Sequence, residues 1–369
     1  VSPVIIAARR SPIGEAGGLL RDVEADRLAA PVLRAVLDDA GIERVDDVLL
    51  GNVLGPGGNP ARVAALRAGL GEATPGMTID RQCASGLSAI TTAASMVSGD
   101  EFFLAGGVES PSTAPWRAWR PRNATEPPRF YQRAPFAPAD IGDPDMGPAA
   151  DLVAAEAGID RERQDAFAAR SHARAVAAQD AGRFDAELVP IGSATKDERP
   201  RRGFTPERLA RFRPAFTPDG TATAANSCGI SDGAAAVLVT SEEQRAELGV
   251  PGLRLIGWRN SGVSPNRLGL GAVPAMRALR ERHSPEVVEF NEAFAGQALA
   301  CLDAAGLDHE LAGPDGGAIA LGHPWGASGA VLVVRLFSRM VRQDGPRIGM
   351  AALSSGGGLG VATMWERVG

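Results

Sequence analysis

Cys83-Ala84-Ser85-Gly86-Leu87-Ser88 and His323-Pro324-Trp325-Gly326-Ala327-Ser328 share one pattern. Each opens with a chemically reactive side chain, puts Gly at the fourth position and Ser at the sixth, and runs on into small, helix-compatible residues. Other segments pair around them. Val48–Asn52 and Val287–Asn291 each read as an apolar strand ending in Asn. Glu101–Gly107 and Arg347–Leu353 each read as a strand leading into glycines, and Leu253–Gly257 repeats the opening strand. Short β-type runs alternate with Ala-rich helical runs such as Ser85–Met96, the pattern of an α/β fold. The chain therefore reads as a tandem duplication with a long insertion in its first half. Equivalent turns of a duplicated unit lie on one face, so Cys83 and His323 are expected to meet at the joint.

The insertion has its own character. From Pro111 to Pro148 the chain is rich in Pro, Arg and Trp with little periodicity, as in a functional loop. Asp160–Arg183 reads as one amphipathic helix, opening with Asp160 and Glu162 and closing at Gly182. Asp197–Arg213 is strongly charged, and Gly233–Thr240 reads as a buried strand. The expected division is 1–114 with 221–249 as the first half, 115–220 as the insertion and 250–369 as the second half.

Composition narrows the function. The 369 residues are 44% hydrophobic and 22% charged, enough for about two core-forming units of ~150 residues. A net charge of −6 argues against a nucleic-acid binder. Three cysteines are too few for a disulfide framework or a four-Cys zinc site, which fits a reducing compartment. No apolar run reaches the ~18–20 residues of a membrane span. The stretch Val1–Arg10 has its apolar part before its basic pair, the wrong order for a signal peptide, and reads as a first strand. A cytoplasmic protein with no metal, membrane or nucleic-acid partner is expected.

Four segments carry the chemistry. Cys83 sits where a strand turns into a helix, and a helix N-terminus favours a thiolate. His323 follows the glycine-dense run Gly316–Gly322 and suits a general base or an oxyanion donor. That run lacks both the Lys-Ser/Thr of a P-loop and the spacing of a dinucleotide fingerprint. The other histidines, His172, His283 and His309, lie among charges and read as solvated. Asn291, at a strand end, either caps a helix or fixes a water beside a catalytic histidine. Ser354-Ser355-Gly356-Gly357-Gly358 is either a glycine-rich turn or a source of backbone N–H groups for an oxyanion hole.

Together these segments resemble the thiolase family, over essentially the whole chain. The matching elements are the Cys-x-Ser-Gly turn at Cys83, Asn-Glu-Ala-Phe at Asn291–Phe294, Gly-His-Pro-x-Gly-x-Ser-Gly at Gly322–Gly329, and Ser354–Gly358 in place of Cys-x-Gly-Gly-Gly. The resemblance implies duplicated βαβαβαββ halves in five αβαβα layers with an inserted loop domain. It implies that Cys83 is acylated by an acyl-CoA with help from His323. Asn291, through a water, and His323 would form one oxyanion hole, and the N–H groups of Cys83 and Gly356 a second. It places coenzyme A against Arg201, Phe216, Met146, Ala224, Cys228, Ala293 and Phe294, as substrate and not as a permanent cofactor. It also implies a homodimer or a dimer of dimers.

The chain departs from the family pattern at Ser354, where the family carries its second catalytic Cys. A serine hydroxyl is a poor base without an activating partner. The acylation step therefore looks intact, and the expectation is transfer to a carbon or other nucleophile, in a non-standard Claisen-type or C-acylation reaction with an altered acceptor. Cys228 stands where a Ser is usual, and Asp145 where a His is usual. Two alternatives are an ordinary acetyl-CoA C-acyltransferase and a non-catalytic subunit that works with a partner protein.

Overall fold

The computed structural model describes residues 1–369. The first half runs β1 (Pro3–Arg10), α1 (Ala25–Ala40), β2 (Asp47–Gly51), α2 (Pro60–Arg67), β3 (Met77–Ile79), α3 (Ser85–Met96) and β4 (Phe103–Glu109). An inserted segment follows. It holds a small hairpin, β5 (Arg117–Trp119) and β6 (Arg129–Tyr131), then α4 (Met146–Glu156) and α5 (Arg161–Asp180). Asp160 caps α5 by accepting from Arg163 N–H, as its place before the helix predicts. Strand β7 (Ser231–Ser241) closes the half. The second half runs β8 (Gly252–Gly262), α6 (Val273–Arg280), β9 (Val287–Phe290), α7 (Ala295–Ala305), α8 (Trp325–Phe337), β10 (Ile348–Ser355) and β11 (Leu359–Val368).

The pairing makes the duplication explicit. One ten-stranded sheet has the order β9-β10-β11-β8-β1-β7-β4-β2-β3, with the short Gly14–Glu15 strand beside β7. In the first half β2 pairs parallel with β4, β4 antiparallel with β7, and β7 antiparallel with β1. In the second half β9 pairs parallel with β10, β10 antiparallel with β11, and β11 antiparallel with β8. Within the sheet, the named strands of the two halves join where Val4 and Ile5 of β1 meet Arg254 and Leu253 of β8. Three apolar clusters give the layers. One lies between the first half's strands and α1 and α2, one between the second half's strands and α6 and α7, and the largest encloses α3 and α8 between both sets of strands. This is the expected αβαβα stack. No helix is long and apolar enough to cross a membrane.

Two features fix how the layers fit. The equivalent helices α3 and α8 touch backbone to backbone in the central layer. A Cβ on Gly107 would lie 2.0 Å from the Gly326 carbonyl oxygen, and one on Gly86 2.7 Å from the same atom. Glycine is required there because no side chain fits. The second feature is a buried ion cluster. Arg10 on β1 donates to Glu187 (2.7 Å) and Asp197 (2.6 and 2.8 Å) from the insertion. Arg335 on α8 donates to the same Glu187 and to Asp315 (2.5 Å). All five side chains are excluded from solvent. The basic residue that ends Val1–Arg10 in the sequence thus serves as an interior bolt.

Gly107→Ala is expected to lower the thermal midpoint, because overpacking of this kind costs about 1–3 kcal/mol or more. An unchanged midpoint by differential scanning calorimetry would mean that α8 can move away from β4 without cost.

Candidate active site

The Cys83 turn is built by its neighbours. Ser85 Oγ accepts from Arg81 N–H (2.8 Å) and donates to Gln82 O (2.6 Å), while Asp80 Oδ1 accepts from Gln82 N–H (2.8 Å). These bonds hold Gln82 at φ 52°, a left-handed conformation that a residue with a side chain rarely adopts. The kink delivers Cys83, half-exposed, to the mouth of α3. The N–H dipoles of Cys83 and Gly356 favour the thiolate, whereas charge on Cys228 or Glu109 opposes it. The helix-terminus argument alone predicts a lowered thiol pKa. Burial outweighs it and pushes Cys83 up to about 12, so the thiol rests protonated.

His323 lies at the equivalent turn of α8 and is buried. Its N–H donates to Gly229 O (3.2 Å) and Ser231 Oγ (3.1 Å). Ser328 Oγ donates to Pro324 O (3.1 Å) and lies 2.6 Å from His323 Nδ1. With its own proton so committed, Ser328 accepts from Nδ1–H, which leaves the lone pair on Nε2. Nε2 faces Asn291 Nδ2 at 3.4 Å. Asn291 therefore does not cap α7; Phe294 holds that position. Burial pulls His323 down to about 3, so it rests as a neutral imidazole able to take a proton.

The glycine turn after β10 closes the site from the other half. Ser355 Oγ donates to Arg81 O (2.8 Å), tying this turn to the Cys83 turn. Ser354, one position earlier, faces the opposite side of the strand, as alternation demands. Its Oγ accepts from Ala272 N–H (3.0 Å) and lies 3.7 Å from Cys301 Sγ, under α6 and α7. The long loop of the insertion reaches the site through Phe136, whose ring packs on Gly356. Arg133 stacks on that ring at 4.6 Å, and Asp143 accepts from Phe136 N–H (3.0 Å).

Most of the residues expected at coenzyme A adjoin this cluster. Cys228 N–H donates to Ala293 O (2.9 Å), and Ser227 forms a bridge with Phe294. The Phe216 ring, exposed, meets Phe294 edge-on at 5.6 Å and lies over Gly147. Met146, half-buried, opens α4. Ala224 is exposed, and Arg201 points outward to Glu15 at 2.9 Å. The site's floor offers hydrogen-bond donors, a neutral base, a protonated thiol and an aromatic approach, a set suited to acyl transfer.

Three residues were not legible as site components. Glu109 accepts from Val53 N–H (3.1 Å), Leu54 N–H (3.0 Å) and Gly326 N–H (2.9 Å), linking both halves below the nucleophile. Burial raises it to about 7. Its place two residues beyond Gly107, at the end of the strand that pairs with Asn52's, becomes visible only from the sheet register. Arg199 sits in a charged run, Arg199 to Arg213, which, Arg201 apart, reads equally as a solvated face and as a coenzyme A contact. Instead it donates to Ile319 O (2.9 Å) and Ser227 O (3.0 Å), bracing the loop that carries Cys228. His172, read as solvated, is buried: its Nδ1 accepts from Arg201 N–H (3.2 Å), and its ring packs edge-on against Phe204. Nothing in the local sequence separates such a histidine from a surface one.

Known proteins match the chain over nearly its whole length. Residues 3–243 match the model described as "Thiolase, N-terminal domain" and 251–367 the model "Thiolase, C-terminal domain". The chain is 43% identical over 383 residues to "Putative acetyl-CoA C-acetyltransferase YhfS" of Bacillus subtilis (strain 168), covering 99% of each. It is 40% identical over 380 residues to "Putative acetyl-CoA C-acetyltransferase VraB" of Staphylococcus aureus (strain MRSA252), again covering 99% of each. Among solved structures, the Bacillus anthracis acetyl-CoA acetyltransferase superposes with a TM-score of 0.91 at 36% identity, covering 100% of this chain and 99% of that one.

The lowered pKa of His323 has a direct test. Its imidazole nitrogen shifts should keep neutral values from pH 8 to pH 5, whereas a midpoint near the ordinary ~6.5 would contradict the burial described. The unfolded chain takes up this proton as the pH falls through ~6.5, so the contribution of His323 to stability is present above that value and declines toward its folded value of about 3.

Proposed function

The chain belongs to the thiolase family of acyltransferases, and from that premise we propose that it forms an acyl-Cys83 intermediate from an acyl-CoA and passes the acyl group to a carbon nucleophile. The observation that carries this reading is the meeting of three turns from both halves of the chain: Ser355 Oγ ties the Gly356 turn to the Cys83 turn, Gly86 after Cys83 packs on Gly326 after His323, and His323 Nε2 faces Asn291. Neutral His323 accepts the Cys83 proton through Nε2. The thiolate attacks the thioester carbonyl, and the N–H groups of Cys83 and Gly356 receive the negative charge that develops on oxygen. Asn291 and the now protonated His323 then face the enolate of the second substrate.

The reaction is non-standard at Ser354. Its hydroxyl is committed to Ala272 N–H and Cys301 on the far side of β10, which argues against a proton-moving role for it. Phe216, Phe294 and Met146 line the approach for pantetheine, with Arg201 toward the nucleotide end, Ala224 on the outer wall, and Cys228 and Ala293 beside the thioester. The protein acts in the cytoplasm as a homodimer or dimer of dimers. Strand β3, directly before the Cys83 turn, is the outermost strand of the sheet with Met77 exposed, which suits pairing with a second copy.

Intact-protein mass spectrometry after mixing with a panel of acyl-CoAs tests the reading. One acyl adduct is expected, absent in Cys83→Ala. No adduct with any donor would instead favour a non-catalytic subunit of a complex. Ser354→Ala is expected to keep acyl-transfer turnover within about tenfold of the parent, against the ~10²–10⁴-fold loss that follows removal of a general base. Phe216→Ala is expected to raise KM for the acyl-CoA with kcat little changed.

A further inference from the structure

Carbon–carbon bond formation at the acyl-enzyme needs a group that removes a proton from the acceptor's Cα. Of the three cysteines, Cys301 is buried behind the sheet, while Cys83 and Cys228 are both half-exposed. Cys228 is the one other thiol whose charge, were it ionised, would raise the Cys83 pKa. The loop that carries it is held on two sides by the oxyanion-forming elements. On one side Cys228 N–H donates to Ala293 O (2.9 Å), two positions from Asn291. On the other, Gly229 O accepts from His323 N–H (3.2 Å), and Ile230 pairs with His323. From below, the Arg199 guanidinium donates to Ser227 O (3.0 Å). The loop that carries this thiol is thus fixed between the imidazole and the Asn-bearing segment, and it is His323, not Cys228, that takes the Cys83 proton.

We propose that Cys228 is a second catalytic thiol, which gives its proton to the departing CoA sulfur in the first half-reaction and takes one from the acceptor's Cα in the second. This rests on the acyl-Cys83 reading above. In the first half, the Cys83 proton goes to His323 Nε2, the Cys83–acyl bond forms, the acyl–CoA bond breaks, and the CoA thiolate takes the Cys228 proton. Products are free CoA, protonated His323 and a Cys228 thiolate. In the second half, Cys228 removes a proton from the Cα of an acyl-CoA acceptor, the Cα–acyl bond forms, and the acyl–Cys83 bond breaks. The Cys83 thiolate then recovers its proton from His323. Every group returns to its starting state and nothing is oxidised or reduced.

The surroundings suit the assignment. Burial pushes Cys228 up to about 12, and the Glu292 charge acts in the same direction, while the positive charge of Arg199 opposes both. A thiol so placed is neutral at rest, as a proton donor to CoA must be. Once ionised beside Arg199, its thiolate is a stronger base than an ordinary one, as a weakly acidic carbon requires. Ser354, on the far face of β10, is thereby relieved of the role.

The experiment separates the half-reactions. The parent, Cys228→Ser, Cys228→Ala and Ser354→Ala chains are each mixed with acetyl-CoA, the adduct on Cys83 is read by intact mass, and the isolated acyl-enzyme is then given fresh acetyl-CoA in deuterated water. Discharge of the adduct and deuterium at Cα of recovered acetyl-CoA are followed together. The expected result is an adduct on all four chains, with discharge and Cα exchange lowered ~10²–10⁴-fold in both Cys228 variants and near parental in Ser354→Ala. Parental discharge and exchange in both Cys228 variants would overturn the proposal, as would their loss in Ser354→Ala alone. Because the departing CoA thiolate can also take its proton from water, a Cys228 variant that unfolds at the parental temperature yet takes no adduct even on prolonged incubation would also overturn it, by placing Cys228 in the donor pocket's structure instead of in proton transfer. Failure of the parent itself to form an adduct is read before any acceptor is added, and overturns the underlying acyl-Cys83 reading.

Discussion

Everything in this molecule depends on how closely two helices approach each other. The Gly326 carbonyl oxygen sits against Gly86 and Gly107, with Gly51 behind them, so that α3 and α8 meet with no side chain between their backbones. That contact brings both helix N-termini to one point. The side chains just before those N-termini, Cys83 and His323, therefore share a site although 240 positions separate them. Glu109 fastens the arrangement by accepting from Gly326 N–H on one side and from Val53 and Leu54 on the other. A wider helix spacing would be tolerable for the apolar core but not for the chemistry.

Burial sets the ionisation of that site. Thiol, imidazole and the supporting carboxylates of Glu109 and Glu292 are all displaced toward their neutral forms, chiefly by loss of water. The resting site therefore holds little charge, and the fixed dipoles around it, Gly356 N–H and Cys83 N–H among them, are positioned before any charge develops. Donors arranged in advance and kept dry act more strongly on an oxyanion than donors in water. The strained Gln82 and the hydroxyl clasp of Ser85 belong to the same economy, since the turn must stay rigid for the N–H groups to stay aimed.

The duplicated fold was legible because its signals are local. Ser85–Met96 spans the same residues as sequence and as helix, and the paired strands Val48–Asn52 and Val287–Asn291 occupy equivalent places in the two halves. Cys83, His323, Asn291 and Gly356 stood out because turns and strand ends have sequence signatures. Properties set by distant packing did not. Arg199 and His172 lie in charged stretches that resemble a wet surface, yet the insertion folds both inward. The orientation of Ser354 depends on strand register, which a run of two serines before three glycines does not reveal. The Cys83 pKa depends on a contest between a helix terminus and desolvation, and only the three-dimensional environment decides it.

The place of β1 has a consequence for how the chain acquires its shape. Val4 pairs with Thr240 and with Arg254, so this apolar strand precedes both of its partners by more than two hundred positions. Such long loop closures slow folding. During synthesis Val4–Ala8 has to wait, unpaired on both edges, until the insertion and the strands after it have left the ribosome. The insertion supplies a partial remedy, since Arg10 N–H donates to Glu187 O and Arg10 O accepts from Val189 N–H. The segment that shapes the pocket wall thus also reaches β1 earlier than either neighbouring strand, and gives it a first docking surface while the rest of the sheet is still being made.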